Sequence, residues 1–480
     1  MKLSTKVAYN AIVQTASKFV STLLGLAAIA MITRYLGQTG FGQYTTIITF
    51  ISFFAVIADL GLTLVTVQMI SKPGADENKI LGNLLALRLI SAVILLGVAP
   101  LASLFFPYSW EIKIGIFITA FAFLFTALGQ ILIGLFQKNL RMDKAAMAEV
   151  AGRILLVIGF FIVIRYNYGL SGILIATVLA NGAGFFLQYL FALPFLRIKL
   201  QFDFAYWGKI VKKSWPLATT IILNLIYLRT DTLLLSVIPR KSDIGILAEV
   251  GLYGAAYKVI DVLITLPFMF AGIILPILTA RWAAKNEEGF ALVLQKSFDA
   301  MMIIAIPMVI GTQFVADRVM TVVAGSDFVV SGEILKLLIV ACGAIFFGNI
   351  FAHAVIAIDR QKNIIGAYFF TAITSVIGYL IFIPRFTYYG AAWVTIYSEI
   401  LIAGASFYLV WKYANFLPKL EVLLKATFAS LAMGGATYLT INYWQLNLLA
   451  ILAIATIVYF LVLLLIGGLK KEDLLMLINK

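Results

Sequence analysis

The chain is predicted to be an all-α integral membrane protein of about fourteen transmembrane helices, because runs of some twenty apolar residues alternate with short loops that collect its lysines and arginines. Of its 480 residues 62% are hydrophobic and 12% charged, and the mean hydropathy is +1.03. A water-soluble domain of that size does not carry so little charge. The runs are continuous, unlike the alternating strands of about ten residues that build an outer-membrane barrel.

The runs fall at 9–33, 42–70, 80–106, 112–136, 145–165 and 170–195, then at 215–238, 250–280, 297–322, 333–357, 364–384 and 389–411, with two more at 421–441 and 447–467. In the first, Ala28-Ile29-Ala30 resembles a signal-peptide cleavage site. The run is too long for a signal h-region and contains Gln14 and Lys18, so it is expected to be a retained span. The longest polar connection, 196–214, carries Arg197, Lys199, Trp207, Lys209, Lys212 and Lys213 among apolar residues, the pattern of an amphipathic helix at the cytoplasmic interface. The expected organisation is therefore an N-lobe of six helices (1–195), this linker, a C-lobe of six (215–413), and two further helices with a cytoplasmic tail (414–480).

Repetition supports that division. Phe41-Gly42-Gln43-Tyr44-Thr45 opens the second run, and Val250-Gly251-Leu252-Tyr253-Gly254 opens the eighth. Tyr168-Gly169-Leu170-Ser171-Gly172 precedes the sixth, and Tyr389-Gly390-Ala391-Ala392-Trp393 opens the twelfth. The ordered series predicts two parallel six-span repeats forming two lobes around a central cavity.

With the N-terminus placed in the cytoplasm, 23 lysines and arginines fall in inner loops and termini and 7 in outer loops. The positive-inside rule then puts both termini in the cytoplasm. The formal charge of +14 follows the loops and does not indicate a nucleic-acid partner. Cys342 and His353 are each the only residue of their type, which excludes a disulfide framework and a histidine or thiolate metal site. There is no Walker loop, no zinc spacing and no large outer loop carrying paired carboxylates, so no enzyme is expected and no cofactor beyond a coupling Na⁺ or H⁺.

The charges inside the runs are the candidate functional residues, because an ionisable side chain in a bilayer is costly. Lys18, Arg88, Arg229 and Lys258 are the cations nearest mid-run, and they suit an anionic substrate such as a diphosphate. In the first run Asn10, Gln14, Ser17, Lys18, Ser21 and Gly25 share one helical face, a polar stripe that wants water or a ligand. Lys258 and Asp261 lie on one face of the eighth run and also suit mutual neutralisation. Asp59, with Ser52, Thr63 and Thr66 near its face, is a candidate cavity residue or the partner of Arg88. Glu149 and Arg153 have the spacing and order of an intrahelical ion pair. Asp231, with Asn224 on the same face after Thr220, is the first candidate for a coupling-ion site, and Glu399, stacked with Thr395 and Ser406, is the second. His353 with Asn349 reads as an interfacial hydrogen bonder.

Arg34-Tyr35-Leu36-Gly37, Gly40-Phe41-Gly42-Gln43-Tyr44, Ala58-Asp59-Leu60-Gly61-Leu62, Arg229-Thr230-Asp231-Thr232 and Val250-Gly251-Leu252-Tyr253-Gly254-Ala255-Ala256-Tyr257 together resemble the polysaccharide transporter family. This is the O-antigen and teichoic-acid exporter type of the multidrug/oligosaccharidyl-lipid/polysaccharide flippase superfamily. The resemblance covers nearly the whole chain. It implies a flippase in the bacterial cytoplasmic membrane that moves an undecaprenyl-diphosphate-linked oligosaccharide to the outer leaflet by alternating access through a cationic cavity. It implies membrane lipids, a polysaccharide polymerase and glycosyltransferases as partners. By position Lys18 matches a cation of relatives, and Asp231 an acidic position associated with sodium. Thr371, Thr374 and Ser375 stand where that sodium pattern has acid or amide residues, which speaks against sodium. The alternatives are an ion-coupled multidrug exporter of the same superfamily and a membrane-embedded glycan polymerase or ligase.

Overall fold

Two residues, Gly37 and Thr387, explain why helices replace loops where the sequence anticipates turns. In a computed structural model that describes residues 3–59, 61–62, 69, 76–195, 199–444 and 446–468, α1 (Leu3–Asp59) carries both of the first two expected spans and α11 (Gln361–Ala414) both the eleventh and twelfth. Gly37 (φ 64°, ψ −175°) and Thr387 (φ 52°, ψ −132°) leave the helical region, and hydrogen-bonded helix resumes at once on either side. A positive φ is the natural territory of glycine.

The remaining helices are α2 (Glu77–Ser103), α3 (Trp110–Lys138), α4 (Met142–Tyr166), α5 (Gly169–Ala192), α6 (Phe204–Val237), α7 (Ile246–Leu263), α8 (Thr265–Ala283), α9 (Glu287–Ala324), α10 (Ser331–Ala357), α12 (Glu421–Tyr443) and α13 (Leu448–Leu465). The described residues contain no strand. Among the described residues eleven segments are long and apolar enough to cross a membrane, and the chain is a multi-pass membrane protein. The expected count of fourteen is not reproduced. Two pairs of spans are merged across kinks, and the expected run 250–280 is split into α7 and α8. Pro267 has no N–H to offer the Leu263 carbonyl, and the Thr265 hydroxyl bonds instead to the Val262 carbonyl at 2.6 Å. The expected interfacial segment and seventh span share one uninterrupted helix, α6, whose N-terminus is capped by the Asp203 carboxylate accepting from the Tyr206 N–H at 3.0 Å. Thr63, Thr66, Arg197, the side chain of Thr220 and the tail beyond 468 lie outside the described residues.

The chain divides into two compact units, Met1–Gly254 and Ala255–Lys480. In the first, one apolar core joins Leu81, Leu84 and Leu85 of α2 to Ile131, Leu135 and Phe136 of α3 and to Trp207 and Ile210 of α6. Asn83 locks that junction: its Oδ1 accepts from the Asp203 N–H and the Trp207 indole N–H, both at 3.0 Å. A second core joins Ile47, Phe50 and Ile51 of α1 to Ala92 and Leu96 of α2, Ile112 and Ile116 of α3, and Leu170 and Leu174 of α5. In the second unit, α9, α10 and α11 share a cluster of tilted and edge-on rings from Phe298, Phe347, Phe351 and Phe407. Helices α12 and α13 pack through Ala426, Ala429, Met433, Ala455, Tyr459 and Leu463.

Candidate functional site

Lys18 is one of the mid-span cations that reaches open space. It lines a cavity of about 480 Å³ in the first unit, enclosed by α1, α3, α4 and α5, with Tyr44, Thr126, Gln130, Glu149, Arg153, Thr177, Asn181 and Gln188 among its walls. That volume lies within the range of small-ligand sites. Small residues make room for it: Gly152 of α4 lies against Gly184 and the Ala180 carbonyl of α5. Three of the polar walls are held by their own helices, with the Thr126 hydroxyl donating to the Ala122 carbonyl (2.9 Å), Thr177 to the Ile173 carbonyl (2.8 Å) and the Asn181 amide to the Thr177 carbonyl (3.0 Å). The Gln188 Oε1 is buried and accepts no hydrogen bond among the described residues.

The electrostatics of this cavity correct one expectation. Glu149 does not pair with Arg153 within α4; its Oε1 faces the Lys18 Nζ across to α1 at 3.9 Å. Both side chains are partly exposed, 48% and 37%, so the pair is loose and contributes little to stability. Arg153 is exposed to the cavity and has no carboxylate within 4 Å among the described residues. The charged side chains of the wall are therefore two cations and one carboxylate, a surplus of one positive charge. Such a site can hold a ligand phosphate by charge-assisted hydrogen bonds from Lys18 and Arg153, with amide groups at Gln130, Asn181 and Gln188 left for hydroxyl-bearing groups.

The other expected site residues are distributed differently. Arg88 is 3% exposed. Its guanidinium is bonded to the Asp59 carboxylate and to the Ala58 and Ala127 carbonyls, at 3.4 and 3.3 Å for the carbonyls. It is consumed by the fold of the first unit and is not offered to a ligand; Asp59 is its partner and not an independent cavity residue. Asn10 is also corrected. Its Nδ2 donates to the Leu140 carbonyl and its Oδ1 accepts from the Met142 N–H, both at 2.7 Å, so it fastens α1 to the α3–α4 turn. Gln14 is exposed, and Ser21 is buried, so of the predicted polar stripe Lys18 alone lines the cavity. Lys258 lies 3.5 Å from Asp261, the mutual neutralisation that the spacing allowed.

Asp231 and Asn224 are not brought together. Seven residues of helix separate them by about 10 Å along the axis. The Asn224 amide bonds to the Tyr227 hydroxyl at 2.8 Å. Asp231 is fully buried and accepts from the Tyr253 hydroxyl (2.6 Å), the Thr232 N–H (2.5 Å) and the Thr232 hydroxyl (3.1 Å), while half-buried Arg229 is near enough to act on its charge. His353 meets the Asn349 carbonyl through Nδ1 at 2.8 Å, as a hydrogen bonder does. Gln130, Asn181 and Gln188 were not foreseen, because neutral amides inside long apolar runs carry no spacing signal. No group of three or more histidine, cysteine, aspartate or glutamate side chains able to hold a metal occurs among the described residues.

The sequence pattern of a family described as polysaccharide biosynthesis protein matches residues 7–282. No curated protein matches the chain. Among solved structures, a lipid II flippase MurJ in an inward closed conformation superposes with a TM-score of 0.76 at 18% identity, covering 94% of this chain and 98% of that one. An inward-facing multidrug resistance MATE family transporter of the MOP superfamily gives 0.66 at 15% identity, covering 84% and 98%. A MOP superfamily transporter from Pyrococcus furiosus, described as having a binding pocket of reverse polarity, gives 0.61 at 15% identity, covering 85% and 95%. At these identities the likeness establishes a shared fold.

Proposed function

The chain belongs to the polysaccharide biosynthesis protein family, and we propose that it is a flippase that moves an oligosaccharide linked through a diphosphate to a polyprenyl carrier from the cytoplasmic to the outer leaflet. The observation that carries this reading is the polar cavity in which Lys18 and Arg153 outnumber Glu149. A diphosphate needs cations in a medium of low dielectric, where each interaction is stronger than in water, and the neutral amides beside them suit sugar hydroxyls. A cationic drug would meet the wrong sign of charge there, which weighs against a multidrug exporter.

The carrier's hydrocarbon tail needs apolar surface of its own. In the second unit a cavity of about 430 Å³ is lined almost wholly by apolar groups, among them Leu263, Ile304, Met308, Met433, Tyr459 and Phe460. It borders α12 and α13; the charges there, Glu421 and Lys425, pair with each other at the start of α12 at 2.6 Å and leave the middle of both runs uncharged. With both termini in the cytoplasm, as the distribution of lysine and arginine indicates, the N-lobe, the basic linker and the C-lobe have the orientation such an exporter requires, with glycosyltransferases on the inner side and a polymerase on the outer.

The test is to delete the protein from its host and to analyse carrier-linked glycans by mass spectrometry. Accumulation of one completed glycan on its carrier, reversed by restoring the protein, is the expected result. Unchanged carrier-linked glycan together with increased drug sensitivity would replace the flippase with the multidrug exporter.

A further inference from the structure

Beyond Thr387 the second run of α11 folds back along the first. Gly378 lies against Val394, the Tyr379 hydroxyl is 3.3 Å from that of Thr395, and the Tyr397 hydroxyl donates to Thr374 at 3.1 Å. This antiparallel register sets Ser375 across from the turn that carries Ser398 and Glu399. Helix α10 covers the same turn from another side, with Gly348 against Ala403, one turn beyond Glu399.

Glu399 is thus 5% exposed, and its Oε1 is wholly buried without a hydrogen-bond donor. The surroundings hold spare polar groups: the Ser375 hydroxyl and the Asn349 amide nitrogen are likewise buried and without partners. Ser398 already donates its hydroxyl to the Thr395 carbonyl at 2.9 Å.

Among the described residues no cation compensates this carboxyl group. Among the described residues α10 is the helix that packs extensively on α11, and its titratable group facing Glu399 is Cys342. From α11 itself the group is Tyr368. Lys336 of α10 is tied to Glu333 and Asp317 at 2.7 and 3.2 Å, and His353 is engaged with the Asn349 carbonyl. No lysine or arginine lies within 4 Å of Glu399 among the described residues. An anion in a membrane-embedded interior, with its Oε1 cut off from water and unbonded and with no lysine or arginine within 4 Å among the described residues, is far costlier than the neutral acid. The arrangement fits a carboxyl group holding a proton.

We propose that Glu399 is a proton-binding site of the second unit, loaded in the arrangement seen here, and that release and recapture of this proton couple the proton gradient to the export reaction. The coupling half of this inference rests on the flippase reading; the proton site does not. The proton enters as hydronium from one side of the membrane, forms an O–H bond on the Glu399 carboxylate and leaves to water on the other, so charge and atoms balance with nothing further required. Sodium is poorly served by the site, which offers one carboxylate and few free hydroxyl oxygens.

Infrared pH-difference spectroscopy on the purified full chain in lipid vesicles tests the site with the proton itself as probe. Wild type should show a carboxylic C=O band that grows reversibly as pH falls. Glu399→Gln should lose it, and Glu399→Asp should keep it at a shifted frequency. A band identical in wild type and Glu399→Gln overturns the proposal, as does a spectrum that responds to sodium at constant pH. Glutamine mimics the neutral acid, so Glu399→Gln should unfold at the wild-type temperature; a variant that fails to fold would mean that the anion is needed, and overturns it too. For the coupling, cells carrying Glu399→Gln should accumulate carrier-linked glycan as the deletion does. Wild-type export in that variant, with the band correctly assigned, removes the coupling, whereas absence of accumulation in the deletion itself removes the flippase reading and leaves the proton site standing.

Discussion

Gly42 and Gly251 meet backbone to backbone, and they do so reciprocally. A Cβ added to Gly42 would overlap the Leu247 carbonyl and lie 3.1 Å from the Gly251 nitrogen; one added to Gly251 would overlap the Gln38 carbonyl and lie 3.1 Å from the Gly42 nitrogen. Leu247 and Gln38 each precede the opposing glycine by four residues, so the contact has the form of a local two-fold. The two glycines are equivalent positions of the motif repeated at the start of the second and eighth expected spans.

Alanine at either position must therefore push α1 and the start of α7 apart, because the obstacle is backbone that no rotamer change can move. Gly42→Ala and Gly251→Ala should each cost about 1–3 kcal/mol, the usual range for overpacking, and the double variant less than their sum, since one separation accommodates both methyl groups. Thermal unfolding of the detergent-solubilised protein measures this. Gly25 and Gly97, which have open space around them, are controls: alanine there should be neutral or stabilising by up to about 1 kcal/mol.

The Arg88–Asp59 pair predicts a stability effect where a substrate-binding arginine would predict a transport effect. Arg88→Ala leaves the Asp59 carboxylate, 18% exposed, without its cation, and should destabilise the protein by about 3–5 kcal/mol. Removing both charges, as Arg88→Met with Asp59→Leu, should recover much of that loss and restore export with it. A single variant that unfolds normally yet fails in export would return Arg88 to the binding site.

What was legible in the sequence follows from how local each cause is. Lys258 and Asp261 were readable because their spacing alone places them on one helix face, and Arg88 with Asp59 because two lone opposite charges in neighbouring apolar runs have few other mates. The all-helical membrane fold came through for the same reason: about twenty apolar residues in a row are a local fact. The partner of Glu149 was not readable, since spacing favours Arg153 whereas the packing of α1 on α4 presents Lys18. Asn10 was misplaced because its partners, the Leu140 carbonyl and the Met142 N–H, become available only when the α3–α4 turn is brought against α1. The kinks at Gly37 and Thr387 replaced expected loops because a single residue with positive φ is enough to redirect a helix, and one such residue leaves no run of polar positions to see.

The cavity in the first unit separates its three charged residues by role. Lys18→Ala and Arg153→Ala should each reduce export severely while leaving the unfolding temperature unchanged, since neither side chain holds a buried contact. Glu149→Gln should act in the opposite sense: it releases Lys18 from its 3.9 Å neighbour and should tighten binding of an inorganic diphosphate probe, measured by calorimetry on the purified protein. Raising the salt concentration should weaken that binding in wild type and more so in Glu149→Gln, because more net positive charge is being screened. Equal affinity in wild type and Lys18→Ala would remove the cationic cavity from the account.

Thr387 supplies a final prediction by contrast with Gly37. Both residues redirect a helix at nearly the same φ, 52° and 64°, but threonine is β-branched and pays for a conformation that glycine adopts freely, a strain on the order of 1–3 kcal/mol. Glycine has its own cost in the unfolded chain, up to about 1 kcal/mol. Thr387→Gly should therefore be stabilising by a net ~1 kcal/mol, and Gly37→Thr destabilising by at least as much, both read as shifts in thermal unfolding. Thr387→Gly should also loosen the register that sets Ser375 opposite the turn of Glu399, which amide hydrogen exchange in the second run of α11 would register as faster exchange. If Thr387→Gly instead lowers the unfolding temperature, the threonine side chain is making a contact worth more than the strain, and the kink is held by that contact and not merely tolerated.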